Sequence, residues 1–147
     1  YNHESPRRGN QFVTKKIIST AVKIKLGKED VLELGNLDAL RDWGYAPDYV
    51  YAMWLLLQQK EPSDYIISTG ILHSVREFVE IVFSYLDLDY QDYVVINKDF
   101  YRESEEVSLC GDASKIKLLG WKETKDLQEA IKEMINVEIE KNKREKV

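Results

Sequence analysis

Residues 34–54 read LGNLDALRDWGYAPDYVYAMW, and the order of residue types in this stretch decides the fold. Just upstream, Val31-Leu32-Glu33-Leu34 is a short apolar strand signal. It runs into Gly35-Asn36, a pair that readily turns the chain. The charged pair Arg41-Asp42 follows, beside Trp43 and Gly44. Pro47 and Asp48 then open an amphipathic run. Proline suits the first helical turn, where its missing N–H would have no partner, and aspartate favours the positive helix N-terminus. Strand, polar loop and helix in that order point to an α/β layer structure. Two readings of Arg41 stand at this level: a cation in a pocket formed where strand meets helix, or a structural ion pair with Asp42 at an ordinary loop.

Working outward, the periodicities predict helices near residues 12–26, 48–59, 74–86, 112–119 and 126–141, and strands near 31–34, 65–68 and 93–96. In the first helix Val13, Ile17, Ala21 and Ile24 fall at helical spacing, and Gly27 is its stop. Lys15, Lys16, Lys23, Lys25 and Lys28 make it basic, mostly as a solvated face. Lys16 stands apart because it lies near the helix start, where anions are favoured. In the second helix Tyr49, Met53, Leu56 and Leu57 form one apolar face and Val50 with Trp54 another, so burial over a wide arc is expected. Tyr65-Ile66-Ile67-Ser68 reads as a fully buried strand, the type found in parallel sheets. Ser74 and Glu77 form a capping box, and Asp126 with Glu129 caps the last helix. His73, just before the Ser74 cap, reads as structural. Asp112 and Gly120 bracket a short helix as its cap and its left-handed stop.

The opening, Asn2-His3-Glu4-Ser5-Pro6-Arg7-Arg8-Gly9, is a loop too polar for a core element. Pro6 stiffens it, and two arginines supply planar forks suited to phosphate.

At 147 residues the chain is one domain's worth of a globular protein, with 44% hydrophobic and 32% charged residues. A net charge of −5 argues against non-specific nucleic-acid binding, which needs a basic face. Cys110 is the single cysteine, which leaves no disulfide framework and no cysteine metal site. No metal ligands are assigned. No run approaches the roughly 20 apolar residues of a membrane span, and no signal-peptide pattern leads the chain. The cytoplasm is the expected compartment.

Several of these strings carry a resemblance. LGNLDAxRDWG followed by DYVxAMW, together with NHESPRRG at the start, resembles the sugar-nucleotide branch of the extended short-chain dehydrogenase/reductases. More narrowly, it resembles the GDP-mannose 4,6-dehydratase family. GDASK followed by LGW, at 111–115 and 119–121, is common to that branch. In Phe100-Tyr101-Arg102-Glu103-Ser104-Glu105, Arg102 and Glu105 match the family, while Glu103 stands where the family carries proline.

The resemblance implies an α/β fold, the C-terminal part of an NAD(P)-binding Rossmann-type extended short-chain dehydrogenase/reductase. Residues 1–147 would be the substrate-binding part, with the N-terminal cofactor-binding part absent from this chain. It implies GDP-mannose as substrate and NADP as cofactor, with conversion to GDP-4-dehydro-6-deoxy-mannose and a homo-oligomer when complete. It places Asn2, Val13, Lys16, Arg41, Arg102 and Glu105 at the substrate and His3 and Arg8 at the cofactor. Residues 32–34 are expected to line a guanine slot.

The chain holds no Gly-x-Gly-x-x-Gly loop and no Tyr-x-x-x-Lys pair. No catalytic residue is therefore assigned within it, and it is expected to be an inactive fragment by itself. A start at Tyr1, directly on a motif, agrees with that expectation. The alternative is a non-catalytic module that keeps the fold for oligomerisation or partner binding. The number of candidate anion contacts favours the enzyme part.

Overall fold

A computed structural model of the chain describes residues 1–101 and 108–144. The elements in chain order are β1 (Asn2–Glu4), α1 (Val13–Lys25), β2 (Leu32–Leu34), β3 (Leu40–Arg41), β4 (Trp43–Tyr45), α2 (Ala46–Leu56), β5 (His73–Ser74), α3 (Val75–Tyr85), β6 (Val94–Ile96), α4 (Ser114–Lys117) and α5 (Leu127–Arg144). Short 3-10 turns follow α3 and β6.

Local chemistry sets most of these ends. Gly27, at φ 65°, closes α1. Its N–H donates to Ile24 O and the Lys28 N–H to Lys23 O, the paired bonds of a Schellman stop. Ser74 Oγ accepts from Glu77 N at 3.0 Å and starts α3. The Glu77 carboxylate pairs with His73 Nδ1 at 2.9 Å, so His73 is indeed part of the cap structure. Asp126 and Glu129 close a reciprocal capping box at α5, each side chain accepting from the other's backbone N–H.

The strands pair in three short ladders. β1 lies parallel to β4, with Asn2, His3 and Glu4 beside Trp43, Gly44 and Tyr45. β2 lies parallel to β6, and β3 runs antiparallel to β5. α1, α3 and α5 pack on one another. Their inward residues Ile17, Ile18, Ala21, Phe78, Val79, Val82, Ile131, Met134 and Ile135 form the main core with Leu32, Leu34 and Trp43. A smaller cluster joins α2 and α4 through Ala52, Ala113, Ile116 and Trp121.

Two expectations need correction. Residues 65–68 form no strand ladder among the described residues. The N-terminal amine of Tyr1 donates to Ile67 O at 3.1 Å, but Ile66 is 46% exposed, so the run is covered on one side only. Nor is α2 buried over a wide arc. Tyr49 and Ala52 are buried, whereas Val50, Met53, Trp54 and Leu57 are exposed, Leu57 to 82%. The helix rests on the chain by one narrow face, and Tyr51 stacks on Trp54 at the surface.

On the basic face of α1 one lysine departs from the solvated reading, while Lys25 and Lys28 are exposed. Lys15 is buried, and its ammonium lies 2.6 Å from Glu138 on α5. Lys28 donates to Asn142.

Candidate functional site

The opening loop folds as two successive turns. Arg8 N donates to Ser5 O at 2.9 Å, with Pro6 at the position where its fixed φ favours such a turn, and Phe12 N donates to Gly9 O. β1 therefore runs through a compact double turn straight into α1. This delivers Asn2, Glu4, Arg8 and the first turn of α1 to one side of the molecule.

A cleft of about 560 Å³ opens there. Its floor is Asn2 and Glu4 of β1 with Trp43 of β4. One wall comes from Arg8, Phe12, Val13 and Lys16, and another from Leu34, Gly35 and Arg41. Phe100 and Tyr101 form the far rim. Gly35 is required at that rim, since a Cβ on it would stand 2.8 Å from the Phe100 carbonyl oxygen. Lys16 Nζ lies 4.2 Å from the centre of the Phe100 ring, joining the helix start to the rim.

Five of the expected site residues, Asn2, Arg8, Val13, Lys16 and Arg41, thus meet on one cleft. His3 does not. Strand alternation turns it to the opposite face of β1, where its ring stacks on Tyr49 at 4.9 Å and its Nδ1 donates to the Tyr1 carbonyl. Arg102 and Glu105 lie outside the described residues. Of residues 32–34, Leu34 lines the cleft, while Leu32 is buried in the main core and Glu33 is exposed. The expected three-residue slot reduces to Leu34.

Arg41 Nη1 donates to Leu40 O at 2.7 Å. The reading of Arg41-Asp42 as a structural ion pair is not supported among the described residues. Asp42 is buried and accepts from Thr69 N, Thr69 Oγ1, Gly70 N and Gly111 N. Asp42 therefore anchors β4 to two distant loops, while its neighbour Arg41 lines the cleft.

Glu4 is a buried cleft residue that sequence reasoning passed over. It is 1% exposed, and one carboxylate oxygen accepts from Thr14 Oγ1 at 2.5 Å. Arg8 Nε lies 3.4 Å from that same oxygen. Burial pushes the Glu4 carboxyl above its ordinary value, against the Thr14 hydrogen bond and the Arg8 charge, which pull it down. The sequence carried no signal for it, because the opening reads as a loop; only once residues 2–4 form β1 do Asn2 and Glu4 share a face. Burial likewise pushes the Tyr49 hydroxyl up, and that hydroxyl has no hydrogen-bond partner among the described residues. Chemically, the cleft offers three cations, two carboxylates (Glu4 and Asp99), three neutral amides and an apolar rim, a set suited to a phosphorylated ligand with an aromatic or sugar end.

The GDP-mannose 4,6 dehydratase family model matches residues 1–134. The chain belongs to the GDP-mannose 4,6-dehydratase family. It is 50% identical to GDP-mannose 4,6 dehydratase 2 of Arabidopsis thaliana over 148 residues, spanning 100% of this chain and 40% of that protein. Identity to the Homo sapiens GDP-mannose 4,6 dehydratase is 43% over 158 residues, 95% of this chain and 42% of that protein. The chain thus spans about two-fifths of the length of these relatives.

Solved structures agree on the fold. RMD from Pseudomonas aeruginosa, complexed with NADPH, superposes with a TM-score of 0.84 at 21% identity, covering 95% of this chain and 46% of that one. A dTDP-glucose 4,6-dehydratase from Bacillus anthracis, in complex with NAD, gives 0.78 at 18% identity, with 97% and 43% covered. The α/β architecture is part of an extended short-chain dehydrogenase/reductase fold.

Among the described residues of this family member, no helix is long and apolar enough to cross a membrane. No group of three or more His, Cys, Asp or Glu side chains there could hold a metal ion.

Proposed function

We propose that residues 1–147 supply the GDP-sugar pocket of a GDP-mannose 4,6-dehydratase, a lyase that converts GDP-mannose to GDP-4-dehydro-6-deoxy-mannose. The observation that carries this reading is the convergence of Asn2, Arg8, Lys16 and Arg41 on one cleft, in a chain the family model matches along most of its length.

A sugar nucleotide carries a diphosphate that needs fixed cations. Arg41 and Lys16 take that task, Arg41 as a planar fork and Lys16 as a point charge held near the helix start. Asn2 donates to the ligand as a neutral group, and Val13 with Leu34 gives apolar contact. Arg102 completes the phosphate grip, and Glu105 accepts from the paired ribose hydroxyls.

When bound, NADP would supply reversible hydride transfer to the hexose. Arg8 reads the phosphate of NADP, and His3 holds a positioning role from behind β1. The residues fit the cofactor in one checkable respect: Arg8 is already fixed on Phe12, with Cζ 3.6 Å from the ring centre. The catalytic base and the acid/base carboxylate belong to the remainder of the enzyme, and this chain alone is inactive. The complete protein is a homo-oligomer. The single, exposed Cys110 supports a reducing compartment, the cytoplasm.

The test uses calorimetry on the full-length protein. Arg41→Ala is expected to weaken GDP-mannose binding by about 10- to 100-fold, the range for one charge-assisted contact. NADP affinity stays nearly constant, and the salt sensitivity of GDP-mannose binding falls. Unchanged GDP-mannose affinity for both Arg41→Ala and Arg102→Ala removes the proposal.

A further inference from the structure

Three successive residues near the start of α1 are tied to three different parts of the molecule. Thr14 Oγ1 donates to Glu4 on the cleft floor. Lys16 lines the cleft and lies over the Phe100 ring at its rim. Lys15, between them, is buried against α5 instead. Its ammonium lies 2.6 Å from Glu138 Oε2 and donates also to the Pro6 carbonyl at 3.5 Å.

The Pro6 carbonyl belongs to the central peptide of the turn that Arg8 N closes on Ser5 O. The direction of that carbonyl separates the two common forms of such a turn, both of which accept proline at this position. Here φ at Arg7 is negative, which excludes the type II form. The Lys15 ammonium holds the carbonyl in its observed direction. The turn in its grip leads into the second turn, and together they bring Arg8, Gln11 and Phe12 to the cleft wall.

Stability alone does not account for the pair. An apolar pair of similar volume commonly serves as well as a buried ion pair, or better. What an apolar pair lacks is a donor for Pro6. Glu138 keeps the ammonium charged inside the protein, and α5 is held in register there: Asn142, one turn on, donates to Glu138 O and accepts from Lys28, just past the far end of α1.

We infer that Lys15 and Glu138 are positioning residues for the cleft: the buried pair fixes the turn at Pro6, so the last helix sets the affinity of a site it does not touch. The inference rests on the proposed reading of the cleft as the GDP-sugar pocket and extends it to residues that line none of it. A wall that is already ordered loses little freedom when a ligand arrives, whereas a loosened one must be ordered on binding.

The experiment uses full-length protein, with GDP-mannose affinity from calorimetry, stability from urea denaturation and amide exchange from NMR. The double variant Lys15→Met/Glu138→Leu is expected to keep nearly wild-type stability. Its GDP-mannose affinity should nonetheless fall by about 3- to 10-fold, the weight of one hydrogen bond. Exchange of the Arg8 amide, which closes the turn, should quicken by a similar factor while that of α3 stays constant. Lys15→Gln, which keeps a neutral donor for Glu138 but is shorter than lysine, should show the same loss and decides the matter if the double variant does not fold. Unchanged affinity in a folded variant of either kind overturns the inference. So does a fall in affinity with no change at the Arg8 amide, since the turn would then not be the link. If Arg41→Ala weakens binding while these variants do not, the pocket reading survives the loss. If Arg41→Ala and Arg102→Ala leave affinity unchanged, the pocket reading falls and this inference with it.

Discussion

The ammonium of Lys15 on α1 lies 2.6 Å from a carboxylate oxygen of Glu138 on α5, and both side chains are buried. The two residues are 123 positions apart, and Glu138 lies beyond the stretch the family model matches. Lys15 also approaches the Pro6 carbonyl at 3.5 Å, linking the loop of Arg8 to the last helix. Removing one partner leaves an uncompensated buried charge, so Glu138→Ala is expected to destabilise the protein by about 3–5 kcal/mol in urea denaturation. Lys15→Met combined with Glu138→Leu should recover most of that loss. A double variant as unstable as the single one would show that the pair is not the source.

Asp42 makes a second long-range prediction. Its carboxylate accepts from three backbone N–H groups, of Thr69, Gly70 and Gly111, and from the Thr69 hydroxyl. Asp42→Ala leaves these donors unpaired at a buried point and is expected to cost at least about 3 kcal/mol. Asp42→Asn, which keeps one acceptor oxygen, should cost less. Equal stability of wild type and Asp42→Ala would overturn this role.

Gly44 lies under Tyr49. A Cβ at residue 44 would stand 2.6 Å from the Tyr49 hydroxyl, and Tyr49 carries the ring on which His3 stacks. Gly44→Ala is expected to cost about 1–3 kcal/mol through overpacking. Because Tyr49 moves with it, the His3 ring proton resonances should shift in NMR spectra. A Gly44→Ala protein with unaltered His3 resonances would show that the tyrosine does not set the imidazole.

Glu4 gives a pH dependence of fixed sign. Burial holds its carboxyl above the ordinary 4.5, so the folded state binds this proton more tightly than the unfolded chain. Its stabilising contribution is complete below about pH 4.5 and is lost as pH rises through the raised folded value. Glu4→Gln has no such titration. The melting temperature of Glu4→Gln relative to wild type is therefore expected to rise between about pH 4 and pH 7. A difference that is flat or falls across that window refutes the assignment.

Much of the local structure was legible in the residues. Gly27, the Ser74–Glu77 pair and the Asp126–Glu129 pair each end or start a helix through bonds made within a few positions, and each acts where it was read. The cleft was legible in part. Asn2, Arg8, Val13, Lys16 and Arg41 were singled out, from family strings as much as from chemistry, and they meet. Glu4 was missed because a lone glutamate in a polar loop carries no mark of burial. Its burial comes from β4 beside it and Thr14 across from it.

The sequence by itself determined the stop of α1, the starts of α3 and α5 and the inward faces of those helices, because caps and helical periodicity act between residues close in the chain. The helices α2 and α4 fell at Ala46–Leu56 and Ser114–Lys117, away from the bounds expected, and Ala113 rather than Asp112 stands at the α4 cap. Tertiary structure alone decided that residues 65–68 lack a ladder, since a strand exists only through a partner. It decided as well that α2 leaves Trp54 and Leu57 uncovered, because periodicity reveals how many faces are apolar and not what is present to cover them. Lys15 completes the contrast. Its sequence neighbours placed it on a solvated basic face, and a carboxylate 123 residues away made its burial affordable.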